Sequence, residues 1–222
     1  TKAATRDSLA RSEHHRGAGA KSSEQKKRSR GLAGGRAGCV VLASLGLAAG
    51  RMTRGHRFHA PKPIALRSPG GYLAALERRG HVLADFEARR ERIRAGSVAA
   101  AEAVGGIAVI DPAVLDEVTS LTEWPVPMLG HFDRAFLEVP QEVIQLTARV
   151  NQKYFVCHDA SGKLANAFVC TANITANDGG VAIVAGNEKV LAARLSDAKF
   201  FWEQDLKVPL ERQAEKLKDI VF

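Results

Sequence analysis

Two pairs of residues have the types and spacing that could support chemistry. His56 and His59 could share a metal ion on a helix, but no third ligand follows at a suitable spacing. Cys157 and His158 are adjacent in a segment with strand composition, so their side chains point to opposite faces and cannot pair by themselves. Phosphate-binding loops, G-x-S-x-G and H-E-x-x-H motifs and paired carboxylates are absent. The sequence therefore predicts a chain that is not itself a catalytic module.

What remains unusual is a density of polar and basic residues in three tracts inside otherwise structured segments. These tracts are residues 54–58 (Arg-Gly-His-Arg-Phe), 151–155 (Asn-Gln-Lys-Tyr-Phe), and 186–189 running on to 194–197. Structural alternatives remain open for the third tract, because Arg194 and Asp197 could form a helix-surface ion pair and Asn187 could be a helix N-cap.

The composition predicts a folded domain that can carry these tracts. With 222 residues, of which 45% are apolar and 25% charged, the chain can bury a sizeable core. Its three cysteines are odd in number and lack a C-x-x-C spacing, which argues against a disulfide scaffold or a zinc cluster and for a reduced, intracellular protein. A start at Thr1 and an end at Phe222 within an amphipathic pattern indicate a fragment.

The positive charge lies mostly at the N-terminus. Residues 1–60 hold 13 Lys and Arg against 3 Asp and Glu, whereas residues 61–222 hold 19 basic and 21 acidic residues. We expect residues 1–36 to be disordered, because their composition cannot bury enough apolar surface to offset the entropy of ordering. The same basic run could bind phosphate polyanions, so one alternative is a non-enzymatic nucleic-acid-binding protein that acts through this tail.

An apolar run of 13 residues, 38–50, follows the basic stretch. It is shorter than the ~20 apolar residues that a membrane-spanning helix needs, so we expect a buried strand or helix of the folded part. A further alternative is a membrane-associated protein that is anchored through this run.

Past residue 60 the pattern predicts helices separated by a hairpin. Ser68-Pro69 begins a helix of about 30 residues that Gly105-Gly106 ends, with an Asp85/Arg89 pair on its polar face. Asp111-Pro112 begins the next helix, and another starts near Pro140.

The clearest topological signal is a β-hairpin set among these helices. Residues 154–158 and 167–171 have strand composition and are separated by a turn at residues 159–162. Gly186-Asn187 is expected to cap a later helix, and Pro209 to begin a last one. The fold class is therefore α+β, an antiparallel sheet with packed helices, whose expected core includes four aromatic residues: Trp124, Phe155, Phe200 and Phe201.

Eight motifs along the chain match one family pattern in order: R-G-H-R-F, E-V-x-S-L-x-E-W-P-V, F-L-x-V-P-x-E, Q-K-Y-F, D-x-x-G-K-L, A-N-I, G-N-E-K-V and R-L-x-D-A-x-F-F. They lie at residues 54–58, 117–126, 136–142, 152–155, 159–164, 172–174, 186–190 and 194–201. Over about residues 50–222 the chain thus resembles the beta subunit of the bacterial two-subunit glycyl-tRNA synthetase, a heterotetramer of two alpha and two beta chains.

The resemblance implies a subunit of a cytoplasmic glycine–tRNA ligase. In this family the alpha subunit binds ATP, with Mg²⁺, and glycine, while the beta subunit binds tRNA(Gly). The alpha subunit and tRNA(Gly) are therefore the implied partners, no membrane is involved, and this fragment alone would bind no cofactor and be inactive.

The resemblance also implies a division of the chain. Residues 1–38 would be a basic segment, disordered or foreign to the folded protein. Residues 39–185 would form an α+β domain similar to the editing module of the phenylalanyl enzyme's beta subunit. Residues 186–222 would be the truncated helical start of an HD-like domain.

The resemblance implies that the three tracts position RNA by contacting its phosphates and 2′-hydroxyls. It implies no catalytic residue and no metal ligand. For His56 the alternative of ordering a turn stays open. The tRNA-binding candidates are Arg54, His56, Arg57, Lys153, Lys189 and Arg194.

Overall fold

The computed structural model describes residues 50–215. The predictions made for residues 1–38 and for nearly all of the apolar run 38–50 lie outside these residues. None of the helices described is long and apolar enough to cross a membrane.

The described chain begins with a small antiparallel hairpin. Strand β1 (Met52–Thr53) pairs with β2 (Ile64–Ala65), so that Met52 lies opposite Ala65. A 3-10 turn at Pro69–Gly71 then leads into helix α1 (Tyr72–Gly80), with Pro69 at the predicted first position. We call residues 51–80 the hairpin segment.

The predicted helix of about 30 residues is wrong, because it is divided into α1 and α2 (Phe86–Glu102). His81 adopts the left-handed conformation (φ 52°), which ends α1 directly after Gly80. The next helix restarts at Asp85, whose carboxylate accepts a hydrogen bond from the Ala88 N–H (2.8 Å). Asp85 is thus a cap, and Arg89 donates to the carbonyl oxygens of Leu83 and Ala84 instead of pairing with it.

A four-stranded antiparallel sheet forms the centre of the remaining fold. Its strands run in the order β3 (Ile107–Ala108), β5 (Phe155–His158), β6 (Leu164–Ala172) and β4 (Val126–His131). The predicted hairpin is confirmed as β5 and β6, with Phe155 opposite Val169. Asp159 closes the turn between them by accepting from the Ser161 N–H (2.8 Å).

Helices cover both faces of this sheet. Helix α3 (Pro112–Leu121) begins at Asp111 as predicted, because the Asp111 carboxylate accepts from the N–H groups of Ala113 and Val114. Helix α4 (Gln141–Leu146) follows Pro140 and continues into a π-helical turn at Thr147–Asn151. The chain then forms α5 (Val181–Lys207) and α6 (Leu210–Ala214), the latter after Pro209 as predicted.

The predicted helix cap at Gly186-Asn187 is wrong, because α5 begins five residues earlier, at Val181. The Asp178 carboxylate accepts from the N–H groups of Gly180 and Ala182 and so satisfies the start of the helix. The predicted domain boundary between residues 185 and 186 falls inside α5. The HD-like domain, and the similarity of residues 39–185 to an editing module, stay predictions.

Apolar side chains fill the space between each helical layer and the sheet, which confirms the α+β class with packed helices. The layer of α2 and α3 shares one buried cluster with the sheet: Ile93, Val114, Leu115, Val118, Phe155 and Val169. The layer of α4 and α5 shares the other: Phe132, Ile144, Tyr154, Phe168, Leu191 and Leu195. Burial on both faces is the main source of stability for such a sheet.

The predicted aromatic core is right in one case and wrong in two. Phe155 is fully buried, and Trp124 is half-buried. Phe200 and Phe201 are 56% and 63% exposed, because it is Trp202 that packs against the core from this part of α5. Successive residues of a helix differ by about 100° in direction, so residues 200 and 201 leave the core face.

Candidate nucleic-acid interface

The loop that joins β1 to β2 presents three cations and one aromatic ring to solvent. Arg54, Arg57 and Lys62 are exposed, and Phe58 is 62% exposed. The Arg57 guanidinium carbon lies 4.5 Å from the centroid of the Phe58 ring, a cation–π contact. Two of the predicted tRNA-binding residues, Arg54 and Arg57, are thus brought together on one loop.

His56 lies beneath this loop and is fully buried. Its Nε2 donates to the Asn173 carbonyl oxygen (2.7 Å), and its Nδ1 accepts from the N–H groups of Phe58 (3.2 Å) and His59 (3.3 Å). These bonds fit one neutral tautomer and use both ring nitrogens. The structure thus shows His56 ordering the turn, and its role in tRNA binding stays a prediction.

A close backbone contact fixes the base of the loop. A Cβ atom at Gly55 would lie 2.5 Å from the Gly80 Cα atom and 2.6 Å from the Gly80 carbonyl oxygen. Only glycine allows this approach, which lets the His56 N–H donate to the Gly80 carbonyl oxygen (2.7 Å). The arginines are therefore carried by a loop pressed against the end of α1.

We call residues 81–215 the sheet domain, and a series of rings connects the loop to it. The His59 ring centroid lies 4.9 Å from those of both His56 and His81, and His81 lies 5.2 Å from Trp124. The Arg92 guanidinium carbon lies 4.3 Å over the Trp124 ring and ends the series.

His59 fixes this series of rings by accepting a hydrogen bond. Its Nε2 accepts from the Thr175 N–H (3.0 Å), which requires this nitrogen to be unprotonated. Burial, together with the neighbouring His56 and His81, lowers the pKa of His59. Both ring nitrogens of His56 and the Nε2 of His59 are thus already hydrogen-bonded, and no group of three or more potential metal ligands is found within residues 50–215.

The other three candidates lie on the sheet domain. Lys153 has a left-handed backbone (φ 59°), and its Nζ pairs with the Glu117 carboxylate (2.9 Å). Lys189 and Arg194 are exposed on α5. The alternative ion pair between Arg194 and Asp197 is absent from the part of the chain that the structure describes.

A pocket of about 250 Å³ lies beside Lys153, where β5 begins and α3 and α5 approach β6. The Tyr154 hydroxyl donates to the Asn187 Oδ1 (2.5 Å) at its wall. Asn187, predicted as a cap, is therefore a link between the sheet and α5.

The two described cysteines are chemically inert. Cys157 and Cys170 are buried, and burial raises the pKa of each thiol to about 11. A thiol with such a pKa is protonated at neutral pH and is a poor nucleophile.

Sequence reasoning missed how charge divides between the two regions. The hairpin segment has one acidic residue, Glu77, against seven basic ones: Arg51, Arg54, Arg57, Lys62, Arg67, Arg78 and Arg79. Residues 81–215 have the opposite balance, with thirteen basic and nineteen acidic residues. A count that ended at residue 80 would have found this division. Exposure of Phe58 was the other missed feature, and local sequence gives no signal for it.

Comparison with known proteins agrees with this arrangement of motifs. A family model described as the glycyl-tRNA synthetase beta subunit matches residues 36–222. A glycine–tRNA ligase beta subunit from Marinobacter nauticus is 50% identical over 179 residues, which are 80% of this chain and 26% of the relative. Beta subunits from Stutzerimonas stutzeri and Pseudomonas savastanoi are each 49% identical over 184 residues, which are 83% of this chain and 26% of the relative.

The chain thus spans about a quarter of the length of the curated relatives it matches. The matched region includes every described element of the fold and all six candidate residues. A family match over most of the chain, together with identity near one half, places the chain in a family: it belongs to the glycyl-tRNA synthetase beta subunit family.

Proposed function

We propose that this chain is part of the beta subunit of a glycine–tRNA ligase and that it contributes tRNA binding to the ATP-dependent attachment of glycine to tRNA(Gly). The observation that carries the proposal is the identity of about one half to beta subunits of that name over four-fifths of the chain. Because the matched region covers only about a quarter of those relatives, the activity of the whole enzyme is part of the proposal.

The geometry supports a binding role for Arg54 and Arg57. Both described thiols are buried and protonated at neutral pH, and His56 uses both ring nitrogens to hold a turn. Arg54 and Arg57 point their charges to solvent from that same turn. Guanidinium groups held in this way suit phosphate oxygens, which they can contact through two parallel hydrogen bonds.

The remaining parts of the reaction belong to the partner in this proposal. The alpha subunit binds ATP with its Mg²⁺ and glycine, and it forms the adenylate. Two alpha and two beta chains assemble in the cytoplasm, and this chain binds tRNA(Gly) without a cofactor of its own. No membrane takes part.

Reconstitution tests the proposal. A complete beta chain containing this sequence should restore glycine charging when it is mixed with the alpha subunit, whereas the chain alone should form neither glycyl-adenylate nor glycyl-tRNA. Charging by this chain alone, or no charging by the reconstituted pair, would overturn the proposal.

A deletion separates the proposal from the tail alternative. Without residues 1–37, tRNA binding by the reconstituted enzyme should be largely retained, because the family match begins at residue 36. Loss of binding on this deletion would favour a protein that acts through its basic tail.

A further inference from the structure

We propose that the hairpin segment is the RNA-contact surface of this part of the subunit, with Arg54 and Arg57 on phosphates and Phe58 stacked on an unpaired base. The proposal rests on the tRNA binding proposed above and assigns it to one place. Lys153, Lys189 and Arg194, which the sequence also nominated, are then outside that contact.

Charge divides unevenly between the hairpin segment and the rest of the described chain. The hairpin segment carries seven basic residues against one acidic residue, whereas the rest of the described chain has an excess of acidic residues. An RNA backbone is attracted to the first region and repelled by the second. Among the nominated residues, Lys153, Lys189 and Arg194 are on the acidic side of this division.

The cations of the two regions differ in whether they already form an ion pair. In the sheet domain, five cations already pair with a carboxylate at 2.6–3.0 Å: Arg90, Arg94, Arg149, Lys153 and Lys199. No basic side chain of the hairpin segment forms an ion pair with any of the residues that the structure describes. Binding a phosphate at the hairpin therefore breaks no ion pair, whereas binding one at Lys153 competes with Glu117.

The exposed ring of Phe58 is available for stacking. An aromatic side chain beside free arginines is the combination that binds unpaired nucleotides, since every base has a face that can stack. Arg57 lies over the Phe58 ring at 4.5 Å. A base stacked on Phe58 would therefore bring its own phosphate, or that of a neighbouring nucleotide, within reach of Arg57.

Contacts with distant backbone groups already order the loop. His56 and His59 tie it to the backbone at Asn173 and Thr175, and Gly55 presses it against Gly80. A loop held in this way loses little conformational freedom on binding, which favours affinity. His56 is thus a positioning residue for Arg57 and Phe58.

A protein partner fits this surface less well. The cores of protein interfaces are depleted in charged residues and need a contiguous apolar area. Here seven cations outnumber the four large apolar side chains that the hairpin segment exposes: Met52, Phe58, Tyr72 and Leu73. Docking of the alpha subunit on this loop would instead be revealed by weakened alpha–beta association in Phe58→Leu.

The test uses the reconstituted enzyme of alpha and complete beta chains and measures tRNA(Gly) affinity by fluorescence anisotropy at several salt concentrations. Phe58→Leu should weaken binding by about tenfold without changing the salt dependence, because it removes stacking and no charge. Arg57→Ala should weaken binding and reduce the slope of log affinity against log salt by about 1. Phe58→Trp should retain the affinity of the wild type.

Matched controls come from the sheet domain. Phe86, 38% exposed, also has an arginine near its ring, with the Arg89 guanidinium carbon at 5.8 Å. Phe86→Leu and Arg212→Ala should leave both affinity and salt slope unchanged. His56→Asn should weaken binding at every salt concentration and should speed amide hydrogen exchange in residues 54–60.

Three results would overturn the inference while leaving the proposed function standing. The first is normal tRNA affinity of both Phe58→Leu and Arg57→Ala in an enzyme that charges tRNA. The second is a loss of affinity in Lys189→Ala or Arg194→Ala that equals or exceeds the loss in Arg57→Ala. The third is weakened alpha–beta association in Phe58→Leu, measured by sedimentation, with tRNA affinity unchanged. A wild-type enzyme that bound no tRNA would overturn the proposed function itself.

Discussion

The hairpin segment and the sheet domain are stabilised in different ways. Within the hairpin segment only two large apolar side chains, Ile64 and Leu76, are buried, and the loop between its strands is held by hydrogen bonds to distant backbone groups. The sheet domain, residues 81–215, has an apolar cluster on each face of its sheet. Its surface cations are partly neutralised by carboxylates, whereas those of the hairpin segment are not.

This difference indicates that the proposed RNA-binding groups and the stabilising groups lie in separate regions of this chain. Asn173 joins the two regions, because its carbonyl oxygen accepts from His56 while its Oδ1 accepts from the N–H groups of Glu123 (2.9 Å) and Trp124 (2.8 Å). The sheet domain thus positions a loop that has too little core to fix its own conformation. Substitutions in the two regions should therefore have different consequences.

The largest effect is expected for the core of the sheet domain. Phe168 is fully buried and stacks on Tyr154 with a centroid distance of 4.7 Å. Phe168→Ala should lower the free energy of unfolding by about 3–5 kcal/mol, because it removes apolar contact and leaves a cavity. Urea denaturation measures this change. Phe200→Ala, at an exposed position, should cost less than about 1 kcal/mol, and equal losses would contradict the assignment of the core.

The next effect is expected at the base of the hairpin loop. Gly55→Ala would place a Cβ atom 2.5 Å from the Gly80 Cα atom, so the backbone must move, at a cost of about 1–3 kcal/mol. Gly70→Ala is the matched control, since a Cβ atom there meets nothing within 4 Å. Thermal unfolding compares the two variants. Equal stability would show that the loop does not need its contact with α1.

The same comparison shows what the sequence could predict. The β5–β6 hairpin followed from local composition and turn residues, and the cap at Asp111-Pro112 followed from two adjacent residues. Both are local features, for which sequence patterns carry a direct physical cause. The α+β class followed from them.

Features that depend on distant contacts were not predictable. The apolar periodicity across residues 72–93 continues through the break at His81, because both helices bury one face against neighbours. The structural role of His56 depends on Asn173, 117 residues away. Gly186 looked like a helix start, yet the cap is supplied by Asp178 in the preceding loop.

The candidate site was predictable in part. The R-G-H-R-F motif led to the loop that presents Arg54 and Arg57. The sequence could not separate the free cations there from Lys153, because the ion pair of Lys153 with Glu117 joins residues that are 36 positions apart. Which of the six candidates contact tRNA stays a prediction.

A smaller effect on stability is expected when the pH changes. It arises at His59, where the two regions are in contact. The pKa of His59 is lowered from its usual value of 6.5, so the folded state favours the neutral ring that accepts from the Thr175 N–H. The unfolded chain then binds the proton more readily, and this contribution to stability is complete above pH 6.5 and is lost as the pH falls through the lower, folded-state pKa.

A glutamine at this position tests the pH effect. Urea denaturation at several pH values between about 5 and 8 should show a weaker pH dependence for His59→Gln than for the wild type, because the amide oxygen can accept the same hydrogen bond without titrating. His131→Gln, at an exposed position on β4, is the control and should keep the wild-type dependence. If His59→Gln also kept it, another group would be responsible.

The smallest effect is expected at Lys153, a cation of the sheet domain that pairs with Glu117. Its ion pair with Glu117 is partly exposed and contributes about 0–1 kcal/mol, while its left-handed backbone costs a side chain about 1–2 kcal/mol. Both Lys153→Ala and Lys153→Gly lose the ion pair, but only glycine relieves the backbone strain, and it gives up about 0.4–1 kcal/mol of that gain through chain entropy. The Gly variant should therefore be more stable than the Ala variant by about 0.5–1 kcal/mol in urea denaturation, and both should bind tRNA(Gly) as the wild type does. Equal losses of tRNA affinity in the two variants would instead make Lys153 an RNA contact and remove the separation between the two regions.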